Sequence, residues 1–283
     1  MYTGGMPVLS CLSLTILGNQ GPFPGPAGAC SGYLVECGGT RLVMDLGPGT
    51  LARLQLAGDI GAAQALVISH YHPDHFSDIL TLRYALRKAK NQGALHGPMT
   101  LLLPVDGLDD FVATYIGDGY VDLFDVVPVE DGKTVELQDL SLHFEAMSHA
   151  VQSYGVSLQP KTRGAKAGGS QRWLLGYTSD TGPCDALVRL ARRSRVLLSE
   201  CAVAATDQTG IAAGHVWPEH IGQVAREAQV ERLILTHFAP DADVASVATA
   251  ASEAFGKRAW ASAIGCTYHL QAPCTHGAGG RQS

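Results

Sequence analysis

Short apolar runs alternate with Gly- and Pro-rich segments along most of the chain. A run that is almost continuously apolar, such as 65–69 or 196–199, is typical of a buried strand. Segment 77–89 instead repeats its apolar positions with the spacing of one helix face. On these criteria the sequence predicts strands at 10–17, 33–37, 41–45, 65–69, 99–103, 126–129, 134–137, 140–147, 172–177, 196–199, 232–236, 259–264 and 267–270.

Helices are predicted between these strands, at 77–89, 108–116, 183–193, 214–229 and 244–255. A further helix is predicted to begin near Thr50, whose hydroxyl could serve as its N-cap. Gly38 and Gly39 join two of the strands in a sequence typical of a hairpin turn. The strands form two series, each interrupted by helices, and this order is compatible with an α/β fold in which two sheets face each other.

Composition and charge argue against several classes of protein. The chain has 283 residues, of which 46% are hydrophobic and 16% charged, so it can fill a sizeable core and is not compositionally disordered. Its net charge of −6 argues against a protein that holds nucleic acid mainly through phosphate contacts, since such a protein is expected to be basic. Two small groups of basic residues, at 83–90 and 161–166, are interpreted as solvated faces.

The sequence contains no signal for export or membrane insertion. No run approaches the roughly 18 consecutive apolar residues of a transmembrane helix, and the apolar start of the chain lacks the basic region of a signal peptide. The seven cysteines form no CxxC pair, and an odd count fits reduced thiols in the cytosol. We therefore expect a cytoplasmic protein without membrane partners, with a mobile loop at 161–171 and a frayed tail at 275–283.

A cluster of metal-ligand side chains directly follows the predicted strand 65–69. Segment 70–75 reads His-Tyr-His-Pro-Asp-His, so three imidazoles and a carboxylate are delivered together where the strand ends. Neutral imidazole and carboxylate form the ligand set that suits zinc and related divalent ions. The alternative, a polar loop that happens to hold three of the eleven histidines, accounts less well for this combination.

Three further candidate ligands also follow predicted strands: His149 after 140–147, Asp180 after 172–177 and His237 after 232–236. With segment 70–75 they resemble the HxHxDH signature and the downstream motifs of the metallo-β-lactamase superfamily, in the same order and over roughly residues 9–270. The resemblance implies an αββα sandwich of two mixed sheets flanked by helices. Because the motifs span both halves of the chain, we expect one domain over residues 1–283.

The resemblance also implies a binuclear metal centre. Its seven protein ligands would be His70, His72, Asp74, His75, His149, Asp180 and His237. One ion would bind the first two histidines and His149, the other would bind Asp74, His75 and His237, and Asp180 would bridge them. Two ions about 4 Å apart lower the pKa of a shared water and clamp both oxygens of an in-line displacement. Zn²⁺ is expected, with Mn²⁺ or Fe as alternatives, because mixed His/Asp sites accept several metals.

A possible acid catalyst lies further along the chain. The sequence Ser-Glu-Cys-Ala at 199–202, followed later by Gly214 and His215, resembles motifs of the ribonuclease Z and arylsulfatase-like branch, although Ser199 replaces the histidine found there. The resemblance implies that His215 is a general acid oriented by Glu200, since a departing alkoxide needs a proton. The alternative is that His215 only marks the start of a helix.

Other residues are expected to support the chemistry. Asp74 would help to position the nucleophilic water, and Asp45 would orient the metal-binding histidines without binding metal itself. Aspartate at 180, where the drug-hydrolysing lactamases carry cysteine, favours oxygen-rich chemistry. The candidates for substrate contact are Asn19, Gln20, Phe23, Ser153 and Tyr154.

The preferred functional hypothesis is a metal-dependent hydrolase of ester bonds, most specifically a phosphodiesterase for a small molecule such as a cyclic nucleotide. Ribonuclease Z enzymes usually carry a long arm that grips transfer RNA, and the short intervals between the motifs contain no comparable insertion, so large RNA is disfavoured. The alternatives are a hydrolase of carboxylic esters, lactones or aryl sulfates, and a metal-binding module without turnover. A homodimer is a further expectation, because dimers are common in the resembled branch.

Overall fold

The computed structural model describes residues 12–161 and 172–270, so the predicted loop at 162–171 and the tail at 275–283 lie outside the described residues. The strands of the described part are β1 (Leu12–Gly18), β2 (Gly32–Cys37), β3 (Thr40–Leu46), β4 (Ala65–Val67), β5 (Met99–Pro104), β6 (Phe124–Val129), β7 (Thr134–Glu136), β8 (Leu140–Met147), β9 (Ser153–Pro160), β10 (Trp173–Tyr177), β11 (Ser194–Glu200), β12 (Arg232–Thr236), β13 (Ala259–Ala261) and β14 (Thr267–Leu270). The α-helices are α1 (Thr50–Leu56), α2 (Pro73–Phe76), α3 (Ile79–Asn91), α4 (Leu108–Phe111), α5 (Asp185–Arg193), α6 (Gln208–Ala212), α7 (Pro218–Glu227) and α8 (Val244–Phe255).

The strands form two seven-stranded sheets. The first has the order β14-β1-β2-β3-β4-β5-β6, antiparallel from β14 to β3 and parallel from β3 to β6. The second has the order β13-β12-β11-β10-β9-β8-β7, parallel from β13 to β10 and antiparallel from β10 to β7. Both sheets are therefore mixed, as expected from the sequence.

Buried apolar side chains form three layers. The central layer lies between the sheets and includes Leu14 and Tyr33 of the first sheet and Leu142 and Tyr177 of the second. An outer layer joins the first sheet to α1 and α3, and another joins the second sheet to α5, α7 and α8. This arrangement confirms the αββα sandwich. Within the described ranges, no helix is long and apolar enough to cross a lipid bilayer.

The start of α1 differs from the prediction that Thr50 is its N-cap. Thr50 is the first helical residue, and Gly49 is the N-cap with a φ of 90°. The Thr50 hydroxyl donates to the carbonyl oxygen of Gly47 at 2.6 Å, so it closes the preceding turn. A left-handed φ suits glycine, which explains why the residue without a side chain takes the cap position.

Two other predicted helices differ from the structure in detail. Helix α5 begins at Asp185 and not at Pro183, because the thiol of Cys184 accepts a hydrogen bond from the backbone of Leu187 and acts as the N-cap. The predicted helix at 108–116 has the predicted bounds, but only α4 is α-helical and Val112–Ile116 is a π-helical turn. Apolar spacing predicts a helix in both regions but gives neither the start of α5 nor the helix type at 112–116.

Candidate metal centre

The segment 70–75 follows β4 at the carboxyl end of the parallel part of the first sheet. Beyond β4, the backbone of Ile68 still donates to Leu102, so the chain leaves the sheet only at Ser69. His72 is then the N-cap of the short helix α2, and Pro73 takes the first helical position, where its missing N–H costs nothing. The helical turn folds His75 back toward the histidines that precede it.

The other candidate ligands follow three strands of the second sheet. His149 comes after β8, Asp180 after β10 and His237 directly after β12. Strands β8 and β10 are both antiparallel to β9, and β10 is parallel to β11 and β12, so all three strands end at the same edge of the sheet. The second sheet therefore delivers its ligands to one place, opposite segment 70–75.

The structure brings the predicted ligands together in two adjoining groups. The first contains His70, His72, His149 and Asp180, and the second contains Asp74, His75 and His237, each with its ligand atoms within 4.8 Å of one another. This division matches the two subsites predicted from the sequence. None of the other histidines in residues 12–161 and 172–270 belongs to such a group.

The first group is built around the Nδ1 atom of His72. Nε2 of His70 and Nε2 of His149 each lie 3.1 Å from it. The Oδ2 atom of Asp180 lies 3.8 Å from Nε2 of His70 and 4.0 Å from Nε2 of His149. Three ring nitrogens and one carboxylate oxygen therefore converge on a single position.

Asp180 also contacts the second group. Its Oδ1 lies 3.3 Å from Nε2 of His75, and its Oδ2 lies 3.3 Å from Nε2 of His237. Nε2 of His237 is in turn 3.2 Å from Oδ2 of Asp74. The Asp180 carboxylate thus lies between the two groups, in the position predicted for a bridging ligand.

The donor atoms of the site fit a divalent cation. Nε2 of His75 and Oδ1 of Asp180 are buried and have no hydrogen-bond partner among the described residues. Buried polar atoms are normally paired, so two unpaired atoms pointing at each other are well explained by a missing positive ion. Imidazole nitrogen and carboxylate oxygen are donors that zinc, manganese and iron accept.

Charge within the cluster is strongly coupled. Burial raises the pKa of Asp180, but the neighbouring His237 and His75 outweigh burial and hold it well below the usual range. Burial, followed by repulsion from His75, lowers the pKa of His70 well below its usual value. His70 is therefore neutral and Asp180 ionised near pH 7, which are the protonation states that metal binding requires.

Asp45 lies beneath the ligands and is fully buried. Its Oδ1 accepts from the backbone N–H of Ser69 at 2.7 Å, and its Oδ2 accepts from the Ser69 hydroxyl at 2.9 Å. Oδ2 also lies 2.8 Å from Nδ1 of His75. Because this carboxylate engages Nδ1, it leaves Nε2 of His75 to face the cluster, as predicted for a residue that orients a ligand.

His215 and Glu200 lie beside the cluster as a pair. Nδ1 of His215 is 3.1 Å from Oε1 and 3.2 Å from Oε2 of Glu200. Glu200 is held in place because it accepts from the backbone N–H of Thr181 at 2.6 Å. Burial lowers the pKa of His215, but the hydrogen bond and charge of Glu200 outweigh it and raise the pKa to about 9. His215 is therefore in its cationic form near pH 7. Its Nδ1 lies 4.0 Å from Oδ2 of Asp180.

The predicted substrate contacts have different surroundings. Asn19 donates its side-chain amide to the carbonyl of Ser262, and the Gln20 side chain accepts from the backbone of Gly25, so both hold loops together. Phe23, on the same loop as Gln20, is 60% exposed and its ring is available for contact.

Ser153 and Tyr154, at the start of β9, are both buried. The Ser153 hydroxyl donates to the backbone carbonyl of Asp180 at 2.9 Å, which supports the loop that carries this ligand. The Tyr154 ring lies in the central apolar layer, and its backbone N–H donates to Ser69.

Sequence reasoning did not identify several residues that support the site. Ser69 and Ser179 place hydroxyls 3.1 and 3.4 Å from Nδ1 of His70. The backbone of Gly214 lies so close to His149 that a Cβ atom on Gly214 would be 2.8 Å from Cα of His149. These residues adjoin the motifs, but only the folded chain shows which distant atoms they contact.

Comparisons with known proteins agree with this geometry. The family model described as the beta-lactamase superfamily domain matches residues 40–238, which include every candidate ligand. The uncharacterized protein ML1173 of Mycobacterium leprae is 32% identical over 265 residues, covering 92% of this chain and 89% of that protein. A ribonuclease Z of Thermobifida fusca is 24% identical over 274 residues, covering 81% of this chain and 85% of that enzyme.

YhfI of Bacillus subtilis, named a probable metallo-hydrolase, resembles the chain in sequence and in structure. It is 29% identical over 227 residues, covering 80% of this chain and 87% of YhfI. The crystal structure of this metallo-beta-lactamase fold protein aligns with a TM-score of 0.80 at 23% identity, covering 92% of this chain and 99% of YhfI.

Proposed function

The chain belongs to the metallo-β-lactamase superfamily, and on that premise we propose that it is a binuclear phosphodiesterase that hydrolyses a small phosphodiester such as a cyclic nucleotide. The coarser assignment, a metal-dependent hydrolase, agrees with the family match and the two groups of candidate ligands. The observation that carries the finer proposal is the His215–Glu200 pair beside Asp180. It places a proton donor beside a carboxylate that lies between the two ligand groups, and the departure of an alkoxide from phosphorus needs such a donor.

Two divalent cations held by the two ligand groups, with Zn²⁺ expected and Mn²⁺ or Fe as alternatives, would supply the Lewis acidity that activates water and stabilises the charge developing on phosphorus oxygens. The protein's own contribution is to orient the ligand rings. Asp45 engages Nδ1 of His75, and the carbonyl of Gly214 lies 2.9 Å from Nδ1 of His149, so each ring turns its Nε2 toward the cluster.

His215 is proposed to protonate the leaving group. Glu200 engages Nδ1, so Nε2 is the ring atom that can transfer a proton to a departing alkoxide. Glu200 also fixes the ring, because the backbone of Thr181 holds its carboxylate. The ring centroid of His215 lies 5.0 Å from that of His149 and 5.9 Å from that of His237, so it reaches both ligand groups.

The net charge of the chain supports a small substrate over large RNA. It is −6, with 26 acidic and 20 basic side chains. An acidic protein lacks the basic excess with which proteins hold an extended phosphate backbone. The ribonuclease Z relative cuts RNA, as its name says. This likeness supports phosphodiester chemistry for the chain, but it does not support a small substrate.

Hydrolysis of a lactone, carboxylic ester or aryl sulfate is the second candidate, because the same ligand set and the same acid could serve an alkoxide or phenoxide leaving group. Asp180 between the two ligand groups favours oxygen-rich substrates, a property that these groups share with a phosphodiester. A non-catalytic metal-binding module would have no use for the His215–Glu200 pair, which is why we rank it below both enzymes.

An activity panel with defined metal content tests the proposal. The metal-stripped protein is reloaded with Zn²⁺, Mn²⁺ or Fe²⁺ and assayed on cyclic nucleotides, bis-p-nitrophenyl phosphate, lactones, thioesters, aryl sulfates and a transfer RNA precursor. We expect the highest kcat/KM on a small phosphodiester, lost on chelation and restored by metal. A higher kcat/KM on a lactone, aryl sulfate or RNA, or turnover of none of them, would overturn it.

A further inference from the structure

Tyr177, the last residue of β10, has its hydroxyl buried beneath the metal centre. The side chain is 1% exposed, and its ring lies in the central apolar layer with its centroid 5.0 Å from that of Tyr33. The hydroxyl donates to Oδ2 of Asp45 at 2.7 Å. This hydrogen bond crosses from the second sheet to the first, because Asp45 lies on β3.

The atom that receives this bond is the one that also orients a candidate ligand. Oδ2 of Asp45 accepts from the Ser69 hydroxyl at 2.9 Å and lies 2.8 Å from Nδ1 of His75. Oδ1 is occupied by the backbone N–H of Ser69. Two of the side chains that reach Oδ2, those of Ser69 and His75, come from the segment that follows β4. Among the described residues, Tyr177 is the only one from the second sheet that bonds to this oxygen.

The direction of these bonds fixes the tautomer of His75. An ionised carboxylate can only accept, so Nδ1 of His75 must carry a hydrogen, and Nε2 is the nitrogen left to give its lone pair to a cation when the ring is neutral. Nε2 lies 3.6 Å from Asp74 and 3.3 Å from Asp180, where the second ion is proposed to bind. By donating a hydrogen bond, the Tyr177 hydroxyl stabilises the negative charge on Oδ2 of Asp45. The same bond fixes the position of that oxygen relative to His75.

We propose that Tyr177 is a positioning residue of the metal centre, which acts through Asp45 to hold His75 in its metal-binding orientation. This inference rests on the proposed function of the ligand cluster. A tyrosine that served only to pack the core could be replaced by phenylalanine without effect on the site, because the two side chains have the same ring. The hydroxyl is therefore the atom to test.

Tyr33 offers a matched control. It is 0% exposed, lies against Tyr177, and its hydroxyl makes a 2.9 Å hydrogen bond to the Thr236 hydroxyl and none to Asp45. Tyr33→Phe therefore removes an equally buried hydroxyl from the same layer. A difference between the two variants reports the bond to Asp45 and not the loss of a buried polar group in general.

The test measures Zn²⁺ binding to the metal-free full-length protein by competition with a chromophoric chelator, which resolves two ions of different affinity. Losing a contact behind a metal ligand typically weakens binding by about 10- to 100-fold. We expect Tyr177→Phe to weaken the binding of one of the two ions by this factor and to leave the affinity for the other ion within about threefold of the parent's. Tyr33→Phe should bind both ions as the parent does. Equal binding by all three proteins, or equal weakening in both variants, would overturn the proposal.

Two further measurements keep the inference testable independently of turnover. A double-mutant cycle with Asp45→Ala should be non-additive, since Tyr177→Phe has no bond left to remove once the acceptor is gone. In the unmodified protein loaded with Zn²⁺, ¹⁵N NMR should find the proton of His75 on Nδ1, and a proton on Nε2 would contradict the proposal even if Tyr177→Phe does not fold. Neither result depends on the substrate, so failure of the phosphodiesterase assignment remains distinguishable.

Discussion

Three residues in or next to the ligand cluster have left-handed backbone conformations that residues with side chains rarely adopt. Asp45 has a φ of 57°, Ser179 of 55° and His237 of 58°. Each such conformation costs on the order of 1–3 kcal/mol and persists only when its surroundings enforce it. Buried hydrogen bonds enforce the conformations of Asp45 and Ser179. Part of the folding free energy therefore offsets this backbone strain, and the ligands are oriented before any ion binds.

The predicted ligands can be tested by single substitutions. His72→Ala and Asp180→Ala should each lose bound metal, because His72 is central to the first group and Asp180 lies between both groups. Activity should fall by more than about 100-fold, the upper end of what losing only an outer contact costs. Elemental analysis and kcat/KM check both effects.

His143→Ala is the matched control for these two variants. His143 lies on β8 with its Nδ1 3.1 Å from the Thr134 hydroxyl, outside both ligand groups. It should keep the metal content and kcat/KM of the parent. Full turnover by a metal-free His72→Ala protein would refute the binuclear assignment.

Replacing His215 should separate proton donation from metal binding. His215→Ala should keep its metal, since this residue lies in neither ligand group. Turnover should fall by about 10²- to 10⁴-fold on alkyl phosphodiesters, which need a proton on the leaving group. On p-nitrophenyl diesters the loss should be much smaller, because p-nitrophenolate leaves unprotonated. Equal losses on the two substrates would remove the general-acid role.

The same role has a pH signature. The pKa of His215 is raised to about 9 by its hydrogen bond to Glu200, against the opposing effect of burial. The acid form is present below that pKa, so kcat on an alkyl diester should decline as pH rises through about 9. His215→Ala should lack this decline. A parent profile that stays flat from pH 7 to pH 10 would contradict the assignment.

The sequence predicts which candidate ligands come together, but not the contacts that support them. His70, His72 and Asp74 are recognisable from their spacing alone, because local chain geometry brings them together. The bond from Tyr177 to Asp45 links positions on different sheets. A contact of that kind depends on how the sheets face each other, and no short pattern in the sequence encodes it.

At the scale of elements, sequence patterns locate strands better than helix ends. Strand β12 was predicted at 232–236 and is found there, since a short apolar run between turns has few alternatives. Helix α5 starts two residues later than Pro183, because a cysteine thiol supplies its cap. Cysteine is not among the residues that usually form N-caps, so N-cap preferences did not predict that this helix starts after Cys184.

The end of α7 provides a stability prediction. Gln229 has a φ of 56°, and the backbone bonds from Gln229 to Arg226 and from Val230 to Ala225 close the helix in a Schellman motif. Glycine takes this conformation without the penalty of a side chain, so Gln229→Gly should raise the free energy of unfolding by about 1 kcal/mol. Urea denaturation of the metal-free protein measures it.

Helix α8 supplies the reverse experiment, because it ends at Gly256 with a φ of 74°. A Cβ atom there would meet nothing closer than 4.0 Å, so only backbone strain is introduced. Gly256→Ala should lower the free energy of unfolding by about 1 kcal/mol. If Gln229→Gly destabilised the protein while Gly256→Ala did not, the strain argument would be wrong at both helices.

At the scale of the whole molecule, the candidate ligands are divided between the two sheets. Segment 70–75 follows a strand of the first sheet, while His149, Asp180 and His237 follow strands of the second. An ion bound by both sets favours the folded state only, since the unfolded chain does not hold the ligands together. Metal should therefore stabilise the fold as well as support turnover.

Thermal unfolding with and without metal measures this coupling. At about 100 times its Kd, one ion should add about 2.7 kcal/mol, which corresponds to several degrees in Tm. His72→Ala and Asp180→Ala should show a smaller rise, because each lacks a ligand. A Tm that is the same in EDTA and in excess Zn²⁺ would show that no ion is held by the folded protein.

The pairing of β14 with β1 has a consequence for synthesis. Leu12 is paired with Leu270, so the first and the last strands of the described chain are neighbours in one sheet. A nascent chain has all its metal ligands once His237 has left the ribosome, yet β1 still lacks a partner along one side. Until residues 267–270 emerge, that edge of β1 can pair with another polypeptide, so the stage of translation between His237 and Leu270 exposes the chain to aggregation.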